Sequence, residues 1–363
     1  MKFLRDLFKA KDEPIKNYTD FWNWFSKNAA AFYSTVKNEK NIEKDFLDKL
    51  SPKLGELKDG FYYLTGMLKG NTAELVITAD GLIKNIVFVE ELVMAAPEIP
   101  GWKFTALKPA LNIQNVRIHM ANYIYDKETL SFFSNDNVEF PDEINITIVH
   151  KDFNEKDKNS ITNGIYIFLD NYIGELNTAI SIDNITIGGT EDIKRELVPI
   201  SKLKDFLIWR EKEFTEKYEG VLQNTQDAEF SILEAELDGG NKLIATINTD
   251  LLNWDGKASH PWIVNVEIPF KGGANSGMPN DETYQFLNDI EDKILADLKD
   301  HQGYLNIGRQ TAKNMREIYF ACKDFRKPSK VLYQFKMDHP DINIEYDIYK
   351  DKYWRSFNKF RQD

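Results

Sequence analysis

Residues 229–237 and 242–248 flank the turn Asp238-Gly239-Gly240-Asn241. Two strand-forming runs closed by such a turn make a β-hairpin, and a hairpin commits its strands to antiparallel pairing. The same punctuation recurs along the chain. Residues 61–67 and 73–78 surround Lys69-Gly70-Asn71, and Ile144, Ile146 and Ile148 alternate with Asn145 and Thr147. Between these period-two runs the apolar spacing changes to that of helices. Phe21, Trp24, Phe25, Asn28 and Phe32 share one helical face, as do Leu82, Ile86, Val89 and Val93. Further helices are expected over residues 161–176, 203–214, 287–298 and 331–337, and single strands over 116–125 and 130–134. Antiparallel hairpins interleaved with amphipathic helices define an α+β chain. The order helix, strand, strand, helix, proline turn, strand occurs twice, with Ala96-Pro97 before Trp102 and His339-Pro340 before Ile342. The expected architecture is therefore tandem ferredoxin-like antiparallel sheet/helix sandwiches.

A chain of 363 residues has room for two or three domains. The polar stretch 215–227 is the best linker. It separates an N-terminal domain, 1–216, with possible subdomains 14–110 and 111–216, from a C-terminal domain, 227–363. One cysteine excludes a disulfide framework and a Cys-rich zinc module. A net charge of −12 argues against a nucleic-acid partner, since a phosphate backbone requires a basic face. The surplus acid is spread over both halves. No run approaches the about 18 apolar residues of a membrane helix, and the N-terminus lacks a secretory apolar core. A cytoplasmic protein without a membrane span is expected. Phe3, Leu4, Leu7 and Phe8, beside Lys2, Arg5 and Lys9, are read as a terminal helix docked on its own domain in preference to a membrane-surface or partner-binding anchor.

The strongest local feature is the loop Lys271-Gly272-Gly273-Ala274-Asn275-Ser276-Gly277-Met278-Pro279, between a strand and a helix capped by Asn280. Such loops can aim backbone N–H groups at an anion. This one matches neither a phosphate loop, nor a dinucleotide fingerprint, nor a nucleophile elbow. Arg309 and Arg316 sit on adjacent strands and share a face in this reading, where they bind an anion or pair with Glu317 or Asp324. The candidate ligand residues are thus Lys271, Asn275, Ser276, Gly277, Arg309 and Arg316. The histidines at 119, 150, 260, 301 and 339 have no metal-ligand spacing, so solvated or core-edge imidazoles are expected, with no metal and no cofactor. Cys322, on the face of Ile318 and Phe320, reads as a buried, inert thiol. Asp289, Glu291 and Asp292 read as a solvated helix face. Tyr349, Tyr353, Trp354 and Phe357, interleaved with Lys350, Lys352, Arg355 and Lys359, read as a tail docked on the domain, with a partner patch as the other possibility.

Gly277-Met278-Pro279, Ile290-Glu291-Asp292, residues 304–311, Tyr319-Phe320 and Asp351-Lys352-Tyr353-Trp354 resemble the family catalogued as domain of unknown function 695, over roughly residues 227–363. Its terminal part is similar to the regulator B of ribonuclease E activity, a ferredoxin-like inhibitor that acts by binding its enzyme. The resemblance implies a fold and brings no catalytic residues with it. A bacterial, non-catalytic protein-interaction or regulatory module with a protein partner is the leading expectation. A small-ligand or anion binder, or an enzyme, using the loop 271–279 is the alternative.

Overall fold

The computed structural model describes residues 14–191, 193, 195–223, 225, 228–272 and 277–361. The amphipathic terminal stretch around Phe3–Phe8, and Asn275 and Ser276 of the glycine-rich loop, lie outside the described residues. The chain divides into two compact units, one of residues 1–110 with 174–176, the other of 111–173 with 177–363. The α+β class holds throughout.

In the first unit, helix α1 (Tyr18–Asn38) is followed by a π-helical turn (Glu43–Leu47) and α2 (Asp48–Leu57). A three-stranded sheet follows, with β1 (Tyr62–Leu68), β2 (Thr72–Thr78) and β3 (Trp102–Ala106). β1 and β2 form the expected hairpin, and α3 (Ile83–Met94) carries the chain to β3 parallel to β2. Asn17 caps α1 by accepting from the Asp20 N–H, and Phe21, Phe25 and Phe32 bury its apolar face against Phe46, Trp102 and Phe104. The buried indoles are satisfied by backbone, Trp22 through the Leu92 carbonyl and Trp102 through that of Ala29. Glu175, also buried, accepts from the Thr78 hydroxyl and the Gly81 and Lys108 N–H groups.

The second unit opens with a hairpin where one strand is expected over 116–125. Ala121 and Asn122 adopt left-handed backbone (φ 50° and 68°) and fold β4 (Ile118–Met120) onto β5 (Tyr123–Tyr125). A four-stranded sheet follows in the order β8-β7-β6-β9, formed by β6 (Leu130–Ser134), β7 (Asn145–His150), β8 (Asn184–Gly188) and β9 (Val198–Pro199). β7 and β8 are parallel, whereas β6 is antiparallel to both β7 and β9. The long helix expected over 161–176 is two helices, α4 (Lys158–Tyr172) and α5 (Glu175–Ser181), because Gly174 at φ 90° breaks the ladder. Ile161, Ile165, Phe168 and Leu169 of α4 pack on Ile146 and Ile148, joined by Leu203 and Leu207 of α6 (Leu203–Tyr218).

The last part is a six-stranded antiparallel sheet, ordered β10-β11-β13-β14-β12-β15. Its strands are β10 (Phe230–Leu237), β11 (Asn241–Asn248), β12 (Trp262–Pro269), β13 (Tyr304–Ala312), β14 (Met315–Cys322) and β15 (Glu345–Lys350). The short helix α7 (Thr249–Asn253), which the apolar spacing did not suggest, leads from β11 toward β12. α8 (Asp281–Asp297) joins β12 to β13, and α9 (Arg326–Asp338) joins β14 to β15. The sequence β12-α8-β13-β14-α9-β15, with spatial order β13-β14-β12-β15, is a ferredoxin-like βαββαβ unit extended at one edge by the β10–β11 hairpin. Leu287, Ile290 and Ile294 are the buried apolar residues of α8, as expected. Against the other face of the sheet lie Trp354, Phe357 and Phe360, packed with Ile263, Leu305, Ile307 and Ala321. The aromatic tail is therefore docked on its own sheet.

Candidate functional site

The two arginines singled out in the sequence do meet on one face, because Thr311 pairs with Arg316 and Arg309 lies two residues before Thr311, and a backbone irregularity sets which face of the sheet that is. β13 pairs with β14 as Leu305↔Ala321 and Asn306↔Phe320, then as Gly308↔Tyr319 and Arg309↔Ile318. One extra residue sits in β13, and the alternation of faces inverts after it. Without this bulge Arg309 would share the face of Leu305 and Ile307, beneath the C-terminal tail. With it, Arg309 lies with Thr311 and Arg316 on the face of α8. Gly308 makes this possible. It has φ 130°, and a Cβ there would lie 2.1 Å from the Thr246 carbonyl oxygen.

On that face the arginines find Glu291, which is buried and not part of a solvated face, as its sequence neighbours suggested. Asp289 and Asp292 are exposed, as expected. Arg309 Nη1 reaches both Glu291 oxygens at 3.1 Å, and Arg316 Nη1 lies 3.9 Å from Oε2. Arg316, its side chain 1% exposed, also donates to Thr311 Oγ1 (3.1 Å) and Asn288 Oδ1 (2.8 Å), and its guanidinium lies 5.1 Å from the Tyr284 ring centre. Burial and the neighbouring Arg309 hold the Arg316 pKa below its ordinary value. For Arg309 the Glu291 carboxylate outweighs burial and raises it. The pairings with Glu317 and Asp324 expected from sequence are not the ones formed. Glu317 takes the Gln310 amide and Asp324 takes Arg326.

The described ends of the glycine-rich loop return to this sheet at the turn between β13 and β14. Lys271 is exposed. The Phe270 N–H donates to the Asn314 carbonyl, and the Asn314 N–H to that of Gly277. Both ends of the loop are thus fastened to the Lys313–Asn314 turn between β13 and β14. The signal for Glu291 was present in the sequence, since position 291 lies on the apolar stripe 287, 290, 294 of its helix. A carboxylate on a core-facing stripe calls for a buried cation.

A second polar cluster joins the C-terminal tail to the strand ends of the four-stranded sheet. Lys350 and Lys352 each place Nζ 2.8 Å from an Asp183 oxygen. Lys352 also donates to the Asp142 carbonyl and lies over the Phe214 ring. The Tyr353 hydroxyl donates to Asp142 Oδ2 (2.7 Å) and accepts from the Asp142 N–H. Lys217 and Tyr218, placed in the expected linker, close on the same carboxylate from the end of α6. Arg355 pairs with the buried Glu143. Burial and the adjacent Lys350 lower the Lys352 pKa to about 8. Burial works against the Asp183 carboxylate, but the two lysines prevail and hold it below its ordinary value. The basic-aromatic tail thus has its partner in the same unit, and no spacing in the sequence announces Asp142 or Asp183.

Of the remaining titratable candidates, His119 and His301 are exposed, as expected, and others lie inside. His150 is buried, with Nε2 at the Ile124 carbonyl and Nδ1 accepting from the Asp152 N–H. His260 is also buried, against the solvated or core-edge expectation. Its Nδ1 lies 2.8 Å from Ser259 Oγ, and burial lowers its pKa to about 4. Cys322 is fully buried, which pushes its thiol well up. Among the described residues no group of three or more His, Cys, Asp or Glu side chains is placed to hold a metal ion, and no helix is long and apolar enough to cross a membrane.

Several features stay open to solvent, Tyr62 and Leu64 on β1 and Ile208 and Trp209 on α6 among them. The edge strand β10 exposes Phe230 (45%) and Ile232 (68%). A cleft of about 780 Å³ lies at the carboxyl ends of β7 and β8.

Residues 211–361 match the model of a family of unknown function, DUF695. The match begins inside α6, so it takes in the Lys217 and Tyr218 contacts to Asp142 as well as the whole six-stranded sheet. A comparison with curated proteins and with solved structures gives no match.

Proposed function

We propose that the protein is a non-catalytic interaction module, and that its six-stranded sheet takes up an extended, basic segment of a partner protein along β10. The observation that carries this reading is the exposed edge. β10 is eight residues long, ends the sheet, and turns Phe230 and Ile232 outward on one face, followed by exposed Glu234 and Glu236. A long edge strand with exposed apolar side chains invites pairing with another strand. The glutamates on the same face, in a chain of net charge −12, favour lysine or arginine on the incoming segment. The alternative, an anion site at the glycine-rich loop, draws less support, because Arg309 and Arg316 are already bound to Glu291, Thr311 and Asn288.

Selection from a random peptide library displayed on phage tests the proposal. The expected result is a family of peptides alternating apolar and basic residues, whose binding is lost in the Phe230→Glu/Ile232→Glu variant at unchanged thermal stability. A selection without consensus, or peptides that bind the variant equally well, contradicts it.

A further inference from the structure

The four-stranded sheet has a feature that strand addition to β10 does not use. β7 runs parallel to β8 on one side and antiparallel to β6 on the other. The parallel strands β7 and β8 end on the same edge of the sheet, so their outgoing connections border one another there, and the carboxyl ends of parallel strands are a usual place for a ligand. Here the chain leaves β7 through Lys151–Glu155 into α4, and leaves β8 through Gly189–Glu191. The cleft between them, about 780 Å³, is within the size range of small-molecule sites.

Gly188, the last residue of β8, is at the lip. A Cβ built on it meets nothing within 4 Å, and its backbone is not in the left-handed region. Neither packing nor conformation calls for glycine there. The effect of the missing side chain is to leave the cleft open. Among the described residues the lining carries Asp152, Glu155 and Glu191 against one cation, Lys151. Glu155 accepts from Lys158 (3.0 Å), whereas Asp152 and Glu191 have no ion-pair partner among the described residues. Tyr123 and Thr147 add hydroxyl groups, the first bonded to Asp157 and the second accepting from Asn135.

We propose that this cleft binds a small polar molecule bearing an ammonium or guanidinium group, which Asp152 and Glu191 hold while the absent side chain of Gly188 leaves it room. Lys151 at the rim accommodates a carboxylate on the same molecule, so a polyamine and a basic amino acid share the required chemistry. Isothermal titration of the full chain with spermidine and, separately, with L-arginine tests the assignment and distinguishes the two sources. Saturable one-to-one binding of at least one of them is expected. Both Asp152→Asn/Glu191→Gln and Gly188→Val should weaken it about tenfold or more, a shift in Kd that titration resolves easily. Gly188→Val is the stringent arm, because it fills the cleft without altering charge. Binding that survives Gly188→Val is counterion attraction to an acidic surface and overturns the proposal, as does the absence of saturable binding for both probes. Loss in the double carboxylate variant alone overturns it for the same reason. Peptide uptake at β10 is expected to be unaffected by either variant, so this test and the test of β10 fail independently.

Discussion

The six-stranded sheet and the four-stranded sheet treat their charged residues in opposite ways. On the helix-facing side of the first, two arginines converge on one buried carboxylate, and hydroxyl, amide and ring groups fill the remaining positions around Arg316. At the carboxyl ends of β7 and β8, acidic groups face a cleft with little to oppose them. Both regions show clustered charge in the sequence, and the arginine region looked the better site. The difference lies in burial. A guanidinium removed from water must be matched locally, and once matched it has little left for a ligand. An exposed carboxylate at a strand end carries no such obligation. Perturbed, closely bonded charge therefore marks the structural part of this molecule, and loosely bonded charge its open surface.

The contrast predicts large stability losses in the closed clusters and small ones at the cleft. The largest is expected for Asp183→Asn, which leaves the buried Lys352 and the half-buried Lys350 without their shared carboxylate. Removing one partner of such a cluster costs about 3–5 kcal/mol. Urea unfolding checks this, and a loss below about 1 kcal/mol would place the cluster among exposed ion pairs.

Next is the acid sensitivity contributed by His260. Its folded pKa of about 4 lies below the ordinary 6.5. Between these values the unfolded chain binds a proton that the folded chain refuses. The corresponding stability is therefore complete above pH 6.5 and is lost as the pH falls toward 4. At about 1.4 kcal/mol per pKa unit the loss is on the order of 3 kcal/mol. Unfolding at pH 7 and pH 4.5 should show a markedly flatter pH dependence in His260→Asn; equal slopes would mean the imidazole is not the responsible group.

A smaller effect separates two glycines. Gly308→Ala forces a Cβ toward the Thr246 carbonyl at positive φ and is expected to cost about 1–3 kcal/mol. Gly188→Val, in open space, should stay within about 0.5 kcal/mol of the parent. Thermal or urea unfolding of the pair checks both, and similar losses in the two would erase the distinction between the closed sheet and the open cleft.

Much of this fold is legible in the sequence because its signals are local. The β10–β11 hairpin, the stripe of α8 and the apolar tail each follow from short-range spacing and turn chemistry. What the sequence conceals depends on distant pairing. Residues 116–125 read as one strand because Ala121 gives no hint of left-handed backbone. The face of Arg309 depends on a bulge whose existence follows from the approach of β11 to Gly308. Asp142 and Asp183 look like ordinary surface acids until the tail, about 170 to 210 residues later, brings lysines to them. Among the site residues, the arginines were visible and shared a face as their spacing suggested. Glu291 had a signal in its helical position, whereas the cleft had only Gly188-Gly189 and Lys151-Asp152 as fragments, with nothing to show that parallel pairing would join them.

A double-mutant cycle between Glu291 and Arg309 tests the central claim most directly, using Glu291→Gln, Arg309→Gln and the combined variant in urea unfolding. Contacting residues of one buried network are expected to show a coupling of about 1–3 kcal/mol. Losses that simply add, to within about 0.3 kcal/mol, would mean that the carboxylate does not hold the arginine, and that Arg309 is free for a ligand after all.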